Sequence, residues 1–151
     1  MSDTTTVEGT VAALYRAVGF DPGGEPQWER LRALFVEEAR LIPPQVGDPP
    51  TLKVTDFDDW MRESRAFLAG PGREIGARGF RERELACRVE RFGSLAHVFS
   101  SYGSYFADEE EPFARGINSI QLVRRDGRWL VLSIAWEVER PELPLPQDYE
   151  G

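Results

Sequence analysis

An α+β domain, three N-terminal helices packed on a strongly curved antiparallel sheet, is predicted by two observations. Apolar residues recur at helical spacing in three segments before Gly70, and four strand-length stretches separated by turn chemistry fill the chain from Gly79 to Val138. Helices first and a strand meander last is the pattern of helices segregated to one side of a sheet.

Each element has its own signal. Thr5-x-x-Glu8 has the form of a capping box, and Val7, Val11, Leu14, Tyr15 and Val18 then recur at helical spacing up to Gly19. Asp21-Pro-Gly-Gly-Glu-Pro breaks that pattern, after which Trp28, Leu31, Leu34 and Phe35 mark a short second helix with Pro26 near its first turn. Ala39 to Ile42 reads as a short strand, and the Pro43-Pro44 and Pro49-Pro50 pairs frame a loop. Thr55-x-x-Asp58 opens a third helix carrying Phe57, Trp60, Met61, Phe67 and Leu68 on one face, and Gly70-Pro71-Gly72 stops it. Strands are expected at about Gly79 to Phe92, Leu95 to Phe106, Phe113 to Arg125 and Arg128 to Val138. Phe92-Gly93-Ser94 and Asp126-Gly127 supply hairpin turns between them.

At 151 residues the chain fits one domain, placed at residues 1–140, with residues 141–151 as an extended, proline-rich C-terminal tail. The net charge of −8 repels phosphate backbones and anionic lipid, which argues against nucleic acid and membrane surfaces as partners. Cys87 is the only cysteine and His97 the only histidine, so neither an internal disulfide nor a zinc site of the usual kind is expected. The N-terminus has no signal-like apolar run and no stretch is long enough to span a bilayer, so a cytoplasmic location is expected. Both sides of the last strand are apolar: Leu130, Leu132, Ile134 and Trp136 on one, Trp129 and Val131 on the other. Helices cover only one side, which implies a homodimer through the sheet.

The chain resembles the nuclear transport factor 2-like superfamily, the cystatin-like α+β cone shared with ketosteroid isomerase, scytalone dehydratase and SnoaL-type polyketide cyclases. The resemblance rests on the first helix, Leu34-Phe35-Val-Glu-Glu-Ala39-Arg-Leu41, Phe92-Gly-Ser-Leu-Ala96-His-Val98, and Asp126-Gly-Arg-Trp129 with Trp136. It implies a pocket between the concave sheet face and the helices, and dimers through the sheet. It also implies that Pro43 stands where the isomerase has its general-base aspartate, and that Asn118 lies at or beside the position of its protonated aspartic acid. Steroid isomerisation is therefore disfavoured.

Matching the strands in the same way puts His97, Phe99 and Ser101 on the concave face with Asn118, Ile120, Leu132, Ile134 and Trp136. Tyr15, Trp60 and Met61 join them from the helices. His97 as acid or base and Asn118 as the group orienting a carbonyl are the candidate catalytic pair, because imidazole titrates near neutral pH. Glu82 and Glu84 form a second candidate pair, yet Leu85, Cys87 and Val89 share the parity of Arg81 and Arg83, so an unbroken strand points both glutamates away from the core. The expectation is a cofactor-free lyase, isomerase or cyclase acting on a small hydrophobic compound, with no metal. A non-catalytic ligand-binding or structural dimeric module is the alternative.

Overall fold

The computed structural model describes residues 3–151. A 3₁₀ turn at Asp3–Thr5 leads into α1 (Val7–Val18), then α2 (Trp28–Arg32), β1 (Phe35–Ile42), α3 (Phe57–Ala69), α4 (Arg73–Arg78), β2 (Phe80–Phe92), β3 (Leu95–Phe106), β4 (Ala114–Arg125) and β5 (Arg128–Val138). The five strands form one sheet in the order β1-β5-β4-β3-β2. β2 to β5 are an antiparallel meander, whereas β1 runs parallel to β5, so the sheet is mixed and not purely antiparallel.

Helix and turn chemistry is close to expectation, with local shifts. Thr6, one residue after the expected cap, accepts from the Gly9 amide and starts α1. Asp56 accepts from the Asp59 amide and starts α3, which leaves Thr55 to pair with Leu41 through both backbone bonds and its hydroxyl. The Gly70-Pro71-Gly72 stop is followed by α4, a fourth helix that the sequence reading lacks, and Gly79 ends it at φ +82. The β4–β5 hairpin turns at Asp126 and Gly127, both at positive φ as a two-residue loop of this kind demands.

Two β-bulges decide which side chains face the helices. On β2, Glu84 pairs with Tyr102 but Ala86 pairs with Ser101, so Leu85 is the extra residue. On β5, Ser133 pairs with Gln121 but Val131 pairs with Leu122, so Leu132 is the extra residue. Each bulge reverses the alternation along its strand. Glu82 and Glu84 therefore share the helix-facing side with Cys87 and Val89, and Trp129 and Val131 share it with Ile134 and Trp136.

The consequence on β5 overturns the exposed apolar patch. Val131 is fully buried and Trp129 nearly so, both within the chain's own core together with Leu31, Leu41, Ile120 and Leu122. Cys87, in contrast, is exposed. The C-terminal residues pack back on their own domain: Leu145 is buried, the Ser101 hydroxyl donates to the Tyr149 carbonyl at 2.6 Å, and the Tyr149 ring stands edge-on to Phe99 at 5.4 Å. Among the described residues, no helix is long and apolar enough to cross a membrane.

Candidate functional site

A cavity of about 430 Å³ lies between the concave sheet face and α1 to α4. That volume falls in the range of small-molecule sites. Its walls are largely apolar, with eight aromatic side chains among them. Trp28 and Trp60 meet edge to face at 5.6 Å, Trp60 packs on Phe57 at 5.6 Å, and Phe57 on Phe35 at 5.2 Å, a chain of rings that fixes α2 and α3 over the sheet. Polar groups gather on the sheet side: Glu82, Tyr102, Ser104 and Asn118. Glu63 stands on α3 in an exposed ion pair with Lys53 at 2.5 Å.

Glu82 is the carboxyl in this wall whose protonation the burial alters. It lies directly across from Ser104 in the β2–β3 ladder, on the same side as Tyr102. Burial pushes its carboxyl up to about 7, and the Asn118 side-chain amide beside it offsets only part of that effect. Neighbouring arginines do not relieve it: Arg81 is held by the Phe20 carbonyl and Asp21, and Arg83 lies over the Tyr105 ring. Tyr15 and Tyr102 are pushed upward, mainly by burial and further by the Glu82 charge, so both stay neutral hydroxyls across the physiological range. Gly116, cross-strand from Tyr102, leaves the space that the Tyr102 hydroxyl occupies; a Cβ there would collide with it.

A continuous set of hydrogen bonds backs this wall. The Asn118 side-chain amide donates to the Tyr15 hydroxyl at 3.1 Å, Tyr15 and Ser100 hydroxyls are 2.7 Å apart, and the Ser100 hydroxyl donates to Glu84 at 2.6 Å. No buried side-chain nitrogen or oxygen among the described residues lacks a partner.

The structure gathers part of the expected site and rejects the rest. Asn118, Trp60, Ile134 and Trp136 line the cavity. Tyr15 is buried immediately behind Asn118. Ile120 is fully buried in the core, Leu132 is the bulged residue, and Met61 packs partly buried against the core, outside the cavity lining, where Arg32 approaches its sulfur at 4.0 Å. His97, Phe99 and Ser101 are on the convex face. Asn118 pairs with Ser100 and Ile120 with Val98, so on β3 the even-numbered residues face the helices. The assignment of His97 as the cavity's acid or base is thereby corrected: its ring is half-exposed and its Nε2 is 3.1 Å from the Ser119 hydroxyl. Glu82, a candidate that unbroken strand alternation turned away from the core, lines the cavity, and the residues the sequence reading missed there are Tyr102 and Ser104.

Among the described residues, no cluster of three or more histidine, cysteine or acidic side chains is placed to hold a metal ion.

No protein-family model and no curated protein matches the chain. Solved structures do. A protein of unknown function with a cystatin-like fold from Nostoc punctiforme superposes with a TM-score of 0.66 at 16% identity, covering 93% of this chain and 92% of that one. A protein from Novosphingobium aromaticivorans, provisionally named a scytalone dehydratase, gives 0.63 at 18% identity, covering 89% and 82%. A nuclear transport factor 2-like protein of unknown function from Shewanella baltica gives 0.58 at 11% identity, covering 88% and 90%. At these identities the likeness is one of fold, and the chain adopts the nuclear transport factor 2-like, cystatin-like cone.

Proposed function

We propose that the cavity binds a small, mainly apolar molecule carrying a carbonyl or hydroxyl group, and that Glu82 moves a proton on it without a cofactor. The observation that carries this reading is the Glu82 carboxyl in the wall of the cavity beside Tyr102 and Asn118, where burial pushes it up to about 7. Such a group is half protonated where the cell operates, so it can take a proton from carbon or oxygen and return it. The neutral Tyr102 hydroxyl supplies a hydrogen-bond donor for an oxygen that becomes electron-rich as the proton leaves. Isomerisation, dehydration and cyclisation all use this pair of roles.

The test is hydrogen–deuterium exchange at carbons next to the carbonyl of a panel of neutral cyclic ketones, in heavy water. Exchange that requires the protein, rises through a midpoint near pH 7 and vanishes in Glu82→Gln supports the reading. Ligand binding with no exchange at any pH favours a binding module, and neither binding nor exchange contradicts the proposal.

A homodimer through the convex face belongs to the same proposal, on different ground from the buried Trp129 and Val131. Phe92 and Leu95 at the β2–β3 hairpin are 85% and 51% exposed, and Phe99, Ile117 and Ala135 remain partly open on that face. Sedimentation at micromolar concentration is expected to show a dimer that Phe92→Glu weakens; a monomer would refute it.

A further inference from the structure

We propose that Glu84, which lies outside the cavity, is a positioning residue: it fixes the direction of a hydrogen-bond chain through Ser100 and Tyr15 that holds the Asn118 amide toward Glu82. This builds on the reading of Glu82 as the cavity's proton-handling group, and it assigns a role to a carboxylate on the other side of the wall.

The direction follows from counting protons. Each hydroxyl has one. The Ser100 hydroxyl donates its proton to a hydrogen bond with Glu84, oxygen to oxygen 2.6 Å, so toward Tyr15 the Ser100 oxygen can only accept. Tyr15 therefore donates to Ser100, and its own oxygen is left to accept from the Asn118 nitrogen at 3.1 Å. An amide has one nitrogen end and one oxygen end, and this chain settles which end faces inward. With the nitrogen held there, Asn118 also presents an N–H to Glu82, the interaction that lowers the pKa of Glu82 against the effect of burial. Four of these five residues come from β2, β3 and β4, and the Leu85 bulge is what lets Glu82 and Glu84 both point to the helix side while Cys87 and Val89 continue the same face.

If Glu84 is removed, the Ser100 proton loses its carboxylate acceptor and is free to turn to Tyr15. Tyr15 can then donate to the Asn118 oxygen, the amide turns over, and Glu82 loses its donor. The sign of the outcome separates this from simple charge proximity. Losing the donor raises the Glu82 midpoint, whereas losing a nearby negative charge lowers it. Tyr15 on α1 reverses its hydroxyl but stays neutral, and the other groups packed around Glu82 do not change: Tyr102 on β3, Glu63 with Lys53 across the cavity, Glu137 beyond Tyr102, and Arg81 and Arg83, whose charges are engaged elsewhere.

The experiment is a carbon-13 NMR titration of the Glu82 carboxyl in the intact protein without ligand, comparing the parent with Glu84→Ala, Ser100→Ala and Glu84→Gln. The two alanine variants are expected to raise the midpoint by about half a unit to one unit, the equivalent of one hydrogen bond. Glu84→Gln keeps an acceptor oxygen for Ser100 and is expected to restore a midpoint at or slightly below that of the parent. Ser100→Ala preserves the Glu84 charge, so the claim stands on it even if Glu84→Ala fails to fold. An unchanged or lowered midpoint in the alanine variants overturns the positioning role. A parent midpoint in the ordinary carboxylate range would overturn Glu82 as the proton-handling group, while an upward response of the variants would still support the chain.

Discussion

On the helix-facing side of the sheet, Ser100, Asn118 and Tyr15 are buried and tied into one hydrogen-bonded wall between Glu82 and Glu84. On the convex side, His97, Ser119 and Phe99 are half-open, and Ser101 is covered only because the C-terminal residues fold over it. The carboxylates diverge in the same way. Glu82 is pushed up to about 7 by burial, whereas Glu38, an exposed side chain on β1, is pulled down to about 2 by a two-point hydrogen bond from Arg125. Residue type alone therefore says little about chemistry here. The face a residue occupies decides whether water or the protein sets its protonation, and a single bulge changes the face.

The largest effect that can break this contrast is on stability. Trp129→Ala is expected to cost about 3–5 kcal/mol, because the bulge at Leu132 turns Trp129 into the core. Chemical denaturation measures it, and a cost below about 1 kcal/mol would mean that the indole faces solvent and the bulge is misplaced.

Next is the pH dependence of stability. Glu82 has a raised folded pKa, so between pH 4.5 and about 7 the folded protein holds more protons than the unfolded chain. Its contribution is fully favourable below that window and is lost as pH rises through it, to a total of about 3 kcal/mol or less. Glu82→Gln should therefore flatten the stability profile between pH 5 and 8, and parallel profiles for the two proteins would show that Glu82 is solvated.

How much of this was legible in the sequence depends on what each signal measures. Turn chemistry and apolar period gave three of the four α-helices and all four long strands, with β3 and β5 at their observed bounds, because glycine, aspartate and alternation act locally. Side-chain direction is not local. A bulge is one added residue, visible only when the partner strand is known: β2 has 13 residues facing 12 in β3. Glu82 and Trp129 were hidden for that reason. His97 was misplaced without any bulge, since β3 carries apolar and small residues at both parities, Ala96 and Val98 on one and Leu95 and Phe99 on the other. Pairing with β4 across the long acidic loop settles the matter, and no local pattern encodes it. The fourth helix is six residues between glycines, too short for a period to show.

A smaller effect sharpens the contrast from the convex side. Leu145→Ala should cost about 1–3 kcal/mol, since Leu145 is buried and anchors the returning tail. The same variant should loosen Tyr149 from Phe99, which proteolysis of the last residues would report; an unchanged cleavage rate would show that the tail is held elsewhere. The smallest effect belongs to His97. His97→Phe should change stability by no more than about 0.5 kcal/mol and leave ligand binding intact, as expected of a half-exposed side chain away from the cavity. Loss of binding in that variant would restore the histidine to the site.

The central claim is that the bulged β2 strand holds a carboxyl inside the cavity that stays protonated up to neutral pH. Isotope-edited infrared spectroscopy of the intact protein reads this directly through the carbonyl stretch of a protonated carboxylic acid. The account predicts a band that titrates away with a midpoint near 7, is absent in Glu82→Gln and persists in Glu38→Gln. A protein whose last protonated carboxyl disappears in the ordinary range of about 4 to 5 would contradict it.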